Sequence, residues 1–417
     1  MAEQITESHQ QFDLIINGGG MAGATLAWGI NYILGANSHG DKAQLKIAII
    51  EASPDDNSHP GFDARVIALS YGSREILEQL GLWHDYQGIA TPITDISVTD
   101  RGHFAQTSLN PTDYQVAALG YVVELEQSGR LLHQKLAQAN SGVTWFRPDS
   151  IKELKQHQDR IDVTLAGGQC LSAKLLVASD GGFSKVRQLL NVASVQTHFN
   201  QSAIIANITT SQAHHGKAYE RFTDQGPLAL LPMNEGRSSL VWSMHTENVD
   251  QIMALSPTQF LAKLQDAFGY RLGMFEQTGQ RVSYPLILTM AEQLTHHRSV
   301  FIGNAAQALH PIAGQGFNLG LRDVAQLISQ ISQAVTAQQD IGQFKVLDNY
   351  RQARETDRKQ TVAATSGLVS IFSNNYWPMV VGRNIALQLS HCIGPLKRPV
   401  AYQMLGWREP LATMHHT

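Results

Sequence analysis

Cysteine is nearly absent. Cys170 and Cys392 are the only two in 417 residues, too few for a disulfide framework and not spaced as metal ligands, so a reducing compartment is expected. A surplus of one charge is also missing: 31 Lys and Arg stand against 35 Asp and Glu, a net of −4, with 16% of residues charged. That balance suits a soluble globular protein and leaves no cationic excess for a nucleic-acid partner. No run of about 18 uninterrupted apolar residues occurs, which argues against a membrane-spanning helix. The best stretch, Leu368 to Leu389, is broken by Asn374, Asn375, Pro378, Arg383 and Asn384. Met1 to Asp13 is polar and lacks the basic region and apolar core of a secretory signal, so a cytoplasmic protein is expected. The pairs His214-His215, His296-His297 and His415-His416 have no Cys or acid at ligand spacing, and no metal is expected. Internal repeats and low-complexity tracts are lacking too.

What is present begins with a short apolar run, Phe12 to Asn17, that ends in Gly18-x-Gly20-x-x-Gly23. A strand turning into a helix is the reading. Leu26, Ile30, Ile33 and Leu34 then form an apolar stripe at helical spacing, and a second buried strand, Leu45 to Ile50, closes on Glu51. The unit is βαβ, which implies a parallel sheet. In such a turn the glycines permit a tight bend, close approach of backbone to pyrophosphate and close helix-to-strand packing, while the helix N-terminus faces the phosphates. Glu51 ends the second strand, where a carboxylate accepts from ribose hydroxyls. It stands further from the glycines than the usual ~20 residues, and the excess falls in the polar loop Gly35 to Gln44.

Two further segments separate a flavin from a nicotinamide dinucleotide. Ser179 to Arg187 follows a strand and places Asp180, two glycines and Arg187 close together. Phe301 to Gly320 also follows a strand and opens a helix through a glycine loop, aiming backbone N–H groups at developing negative charge on the pyrimidine end of a reduced flavin. From Ser202 to His245 the pattern changes to consecutive short strands, the mark of an antiparallel sheet and a second domain. From Leu347 onward the composition is helical.

Taken together, the three segments resemble the aromatic-ring hydroxylase family of FAD-dependent monooxygenases. The resemblance implies FAD held by Gly18, Gly20, Gly23 and Glu51, by Asp180 and Arg187, and by Asn304, Pro311, Gly314, Gly316, Phe317 and Asn318. Arg65 and Arg130 resemble further FAD-contacting positions. NAD(P)H is implied as a transient reductant and O2 as co-substrate. Pro60 to Asp63, Glu220-Arg221-Phe222 with Gly226 to Ala229, Gly303 to Gln307, and Val381 to Ile385 extend the likeness, over essentially the whole chain, to the polyprenyl-methoxyphenol branch of ubiquinone-biosynthesis hydroxylases. Asn304 stands where the wider family has Asp, as in that branch.

The fold implied is α/β: a discontinuous Rossmann-like FAD-binding domain (1–75, 115–190 and 296–335), an antiparallel-sheet substrate domain (76–114 and 191–295), and a C-terminal helical region (336–417). The substrate implied is a lipophilic polyprenylphenol, 2-polyprenyl-6-methoxyphenol, hydroxylated para to its hydroxyl. Arg221, Leu228, Leu230, Trp242 and His310 are its candidate contacts, and a structural role is the plainer reading of His310. No catalytic acid or base is assigned. Other ubiquinone-biosynthesis proteins are candidate partners. Leu368, Ile371, Phe372, Tyr376, Trp377, Met379 and Val380 read first as a helix-packing face and second as a peripheral membrane contact. Two alternatives stay open: a hydroxylase of another ubiquinone intermediate, and a non-catalytic prenyl-binding protein on the same fold. A flavin-dependent halogenase is disfavoured, because Trp242 stands alone with no Ile-Pro after it.

Overall fold

The computed structural model describes residues 9–36, 44–54, 65–100, 106–138, 142–223, 225–309 and 315–372. Its first layer is an eight-stranded sheet. Cys170–Ala178, Gln10–Asn17, Ile47–Ile50 and Val143–Phe146 lie side by side and parallel, and Ser299–Phe301 joins parallel to the free edge of Cys170–Ala178. Leu14, Ile15 and Ile16 are fully buried in succession, with no alternation, because both faces of this sheet are covered. Met21–Ala36 follows the first strand directly and packs against Gln315–Thr336 and Leu125–Leu136.

The second layer is a nine-stranded sheet built around the long strand Ser194–Thr210. It pairs antiparallel with Arg237–His245, Val282–Ala291 and Phe275–Thr278; Pro227–Pro232 and Lys217–Phe222 continue the sheet, and Asp95–Asp100 adds to it in parallel. One face carries the helices Thr246–Met253 and Pro257–Phe268. The second helix starts at a capping box, with Ser256 and Gln259 each satisfying a backbone N–H of the first turn and Pro257 needing none. The other face looks back at the first layer across a cavity. A three-stranded sheet, Val66–Ser70, Gly120–Glu124 and Thr91–Ile93, bridges the two layers.

Two of the expected domain limits fall elsewhere. Residue 76 lies inside the helix Tyr71–Gln79, and Ile76, Leu77, Leu80 and Tyr86 complete the core of the first layer rather than the second. The C-terminal helix Phe344–Phe372 is likewise part of that core, through Val346, Leu347 and Tyr350. Pro60 to Asp63, His310 to Gly314, the side chains from Leu368 to Phe372 and everything from residue 373 on lie outside the described residues.

Candidate active site

A cavity of about 980 Å3 separates the two layers. Its first wall is made of turns. Gly18 sits at φ +102°, and a Cβ there would come within 2.7 Å of the Ser179 carbonyl, so the turn and the Asp180 segment can meet only at glycine. A Cβ at Gly23 would overlap the carbonyl oxygen of Gly18, which makes the third glycine a packing position, as the fingerprint requires. Glu51 is buried at the end of its strand; its two carboxylate oxygens accept from the backbone N–H groups of Gly19 at 2.7 Å and Ser53 at 2.9 Å. Glu51 lines the cavity beside the glycine turn.

Asp180 is held by three donors on one oxygen: Asn17 Nδ2 at 2.9 Å and the backbone N–H groups of Lys185 and Val186. Its other oxygen, Oδ1, is buried with no hydrogen-bond partner among the described residues. Burial pushes this carboxyl above its ordinary value, against the pull of the Ser184 hydroxyl and the backbone N–H donors. An unpaired buried acceptor in a cavity wall matches the hydroxyl-rich part of a dinucleotide. Gly20, Asn304, Gly316, Phe317 and Asn318 line the same wall. The glycine cradle, the waiting acceptor and the N-terminus of Gln315–Thr336 together fit FAD.

Several expected contacts are committed elsewhere. Arg187 is buried and donates to the carbonyls of Ala305 at 2.7 Å and Gly182 at 2.6 Å, so it clasps the second motif to the third instead of reaching into the cavity. Asn318 accepts from Ser70 N and Ser73 Oγ and donates to Ala68 O, tying its helix to the bridging sheet. Arg130 is a correction: it is exposed on its helix and paired with Glu126 one turn away, outside the cavity lining. His133, a turn further on, meets the glycine loop instead, with Nε2 2.9 Å from Gly19 O and its ring against Trp145. Arg65 does line the cavity, its guanidinium 5.1 Å above the Tyr284 ring.

The second wall corrects all of the described substrate candidates. In the register of the sheet Arg221 stands opposite Leu228, and Leu228 opposite Trp242. These side chains, with Leu230, point under the helix Pro257–Phe268: Leu228, Leu230 and Trp242 belong to its core, and Arg221 Nε donates to Ala267 O at 2.9 Å. Side chains alternate along a strand, so the cavity receives the other set. That set is Ala203, Ile205, Ala218, Glu220, Ala229, Leu231, Ser239 and Val241. Choosing by bulk selects the packed face, because the face that leaves room for a ligand is lined with smaller residues.

Sequence reasoning also misses what fixes the third motif. Asp323, buried on Gln315–Thr336, accepts from Gly303 N at 3.1 Å and Gln307 Nε2 at 2.6 Å, and from Arg354 Nε at 2.8 Å. Arg354 and Arg322 share Asp357. Burial pushes the Asp357 carboxyl up, but the two guanidinium groups outweigh it and hold it below the carboxylate range. The helical spacing of Arg354 and Asp357 is the signal in the sequence for this network.

Fold and site define an FAD-dependent aromatic monooxygenase. The chain belongs to the FAD binding domain family, whose profile matches residues 11–365. It is 34% identical to ubiquinone hydroxylase UbiL of Rhodospirillum rubrum, over 93% of this chain and 87% of that one. It is 30% identical to 3-demethoxyubiquinol 3-hydroxylase of Escherichia coli, over 96% of this chain and all (100%) of that one. Among solved structures, p-nitrophenol 4-monooxygenase PnpA from Pseudomonas putida superposes with a TM-score of 0.77 at 16% identity, covering 96% of this chain and 100% of that one. HpxO from Klebsiella pneumoniae, complexed with FAD, superposes with a TM-score of 0.73 at 14% identity, covering 94% of this chain and 98% of that one.

Proposed function

We propose that the chain hydroxylates a polyprenylated phenol on the route to ubiquinone, with NAD(P)H and O2 as co-substrates, and that this phenol is 2-polyprenyl-6-methoxyphenol, hydroxylated para to its hydroxyl. The observation that carries the reading is the second wall: a broad sheet face of small and medium side chains, apolar but for Glu220 and Ser239, set across a cavity from the FAD-binding turns. The two relatives named above, one a ubiquinone hydroxylase and one a demethoxyubiquinol hydroxylase, support the substrate class.

Bound FAD supplies the redox chemistry, taking electrons from NAD(P)H and activating O2. The chain's own residues do the rest. The Gly18 to Gly23 turn and the helix behind it take the pyrophosphate, Glu51 the ribose hydroxyls, and Asp180 Oδ1 a hydroxyl of the ribityl chain. The N-terminus of Gln315–Thr336 stabilises negative charge on the flavin's pyrimidine end. The apolar sheet face excludes water and orients the ring through the isoprenoid tail, so that remote binding energy is spent on geometry. In the methoxyphenol both ortho positions are substituted, which leaves the para carbon as the electron-rich position. The greasy substrate favours a cytoplasmic protein that works at the membrane surface. No helix among the described residues is long and apolar enough to cross one.

A strain lacking the gene tests the reading. Its lipid extract should accumulate 2-polyprenyl-6-methoxyphenol by mass spectrometry. Accumulation of a demethoxy-quinone or of the unsubstituted polyprenylphenol would move the chain to another ubiquinone hydroxylation, and an unchanged quinone profile would remove it from the pathway.

A further inference from the structure

Among the described residues, the cavity face of the second sheet carries a single carboxylate, Glu220. It stands on Lys217–Phe222 between Val98 of one neighbouring strand and Ala229 of the other, with Ala218 and Leu231 beside them. It makes no hydrogen bond or ion pair among the described residues. Among the described side chains, the nearby charges are turned elsewhere. Lys217 pairs with Asp95 at 3.2 Å, Arg221 is on the opposite face, Pro227–Pro232 has no charged residue, and Arg65 lies over Tyr284 across the cavity. Glu220 is half-buried in the cavity wall, and desolvation there raises its carboxyl, to about 7. An unpaired carboxylate costs free energy in an apolar wall where Val or Leu would pack, and fold alone gives no reason to keep one. Its position facing the FAD-binding turns supplies a reason.

We infer that Glu220 is the catalytic base of the hydroxylation, accepting the phenolic proton of the substrate. This rests on the reading of the substrate as a phenol. As oxygen is delivered to the ring, the phenolic O–H bond breaks, its electron pair stays on oxygen and flows into the ring, and the proton forms an O–H bond on Glu220. That makes the para carbon more nucleophilic at the moment of attack. The dienone so formed regains its aromatic ring when the para C–H bond breaks, its electron pair entering the ring and its proton going to solvent, while Glu220 returns its proton to the former phenolic oxygen; the hydroquinone leaves and Glu220 is again ionised. A base whose pKa lies near the working pH is matched to this transfer.

The test uses the FAD-loaded enzyme, its Glu220→Gln and Glu220→Asp variants, and two probes: 2-methoxyphenol and 1,2-dimethoxybenzene, which lacks the proton. Binding is read from the perturbation of flavin absorbance. The native protein should prefer the phenol about tenfold or more at pH 8, where Glu220 is ionised, and lose the preference below about pH 6. With 2-prenyl-6-methoxyphenol, kcat/KM should fall on the acid side of about pH 7. Glu220→Gln should lower kcat by about 10²–10⁴, abolish both pH dependences and keep its flavin, while Glu220→Asp restores part of the rate. An acid limb and a phenol preference that persist unchanged in Glu220→Gln would overturn the role of Glu220 and leave the functional reading standing. A flavin-loaded native protein that hydroxylates no methoxyphenol would overturn the functional reading itself. If Glu220→Gln loses its flavin, the pH dependence of phenol preference in the native protein decides alone, and its absence counts against Glu220.

Discussion

The two walls of the cavity are built by different means. The dinucleotide wall works through backbone: glycine turns, helix N-termini and carboxylates such as Glu51 that are already tied to N–H groups. The sheet wall works through side chains, and which of them face the cavity is decided by strand parity. A backbone site tolerates almost no added atom, whereas a side-chain site can change its content and keep its frame. Substitutions on the two walls should therefore fail in different ways.

The largest effect is expected at Gly18. Valine there meets both a positive φ and the Ser179 carbonyl, so Gly18→Val should purify without flavin; a full flavin spectrum per protein would show that this turn does not hold the cofactor. Next comes the buried ion network behind the third motif. Asp323→Asn or Arg354→Met leaves an uncompensated charge and should cost about 3–5 kcal/mol in urea unfolding. The same network gives a pH signature. Asp357 is held below its unfolded value, so its contribution to stability is complete above that value and is lost as pH falls through the lower, folded one.

On the sheet wall, parity makes a paired prediction. Leu228→Ala, under the helix, should cost about 2–5 kcal/mol and leave substrate choice unchanged. Ala229→Trp, one residue away but facing the cavity, should change stability by less than about 1 kcal/mol and exclude the prenylated substrate; equal effects on stability would contradict the register. Glu220→Gln should stabilise the protein. With its folded pKa raised to about 7, the native chain loses stability between the ordinary carboxylate value and pH 7. The variant's advantage should thus be absent near pH 4 and reach up to about 3 kcal/mol at pH 8. The smallest effect is at Asn304, where Asp should bind FAD at least as well as Asn and Ala should bind it about 1 kcal/mol more weakly, measured by flavin release on dilution.

The same division explains what is legible in the sequence. Gly18, Gly20, Glu51, Asp180 and Asn304 can be assigned to one site from the sequence alone, because glycine turns after buried strands need residue types that little else needs at that spacing. Arg187 and Arg130 cannot. A guanidinium reaches in any direction, and only the fold shows that one clasps two carbonyls and the other faces water. Trp242 and Leu228 mislead for a related reason: an apolar residue on a strand buried on both sides carries no mark of which side it faces. Glu220 stands out in the sequence only as part of a family likeness, since a carboxylate on a strand looks like an exposed edge until the register turns it into a cavity.

The central claim is the reaction, and isotope transfer tests it most directly. Purified flavin-loaded protein, given 2-polyprenyl-6-methoxyphenol, NAD(P)H and 18O2, should yield the para-hydroquinone carrying one 18O atom in its new hydroxyl. Reduced nucleotide consumed with no labelled hydroxyl on the ring, or label entering at another carbon, would contradict the account.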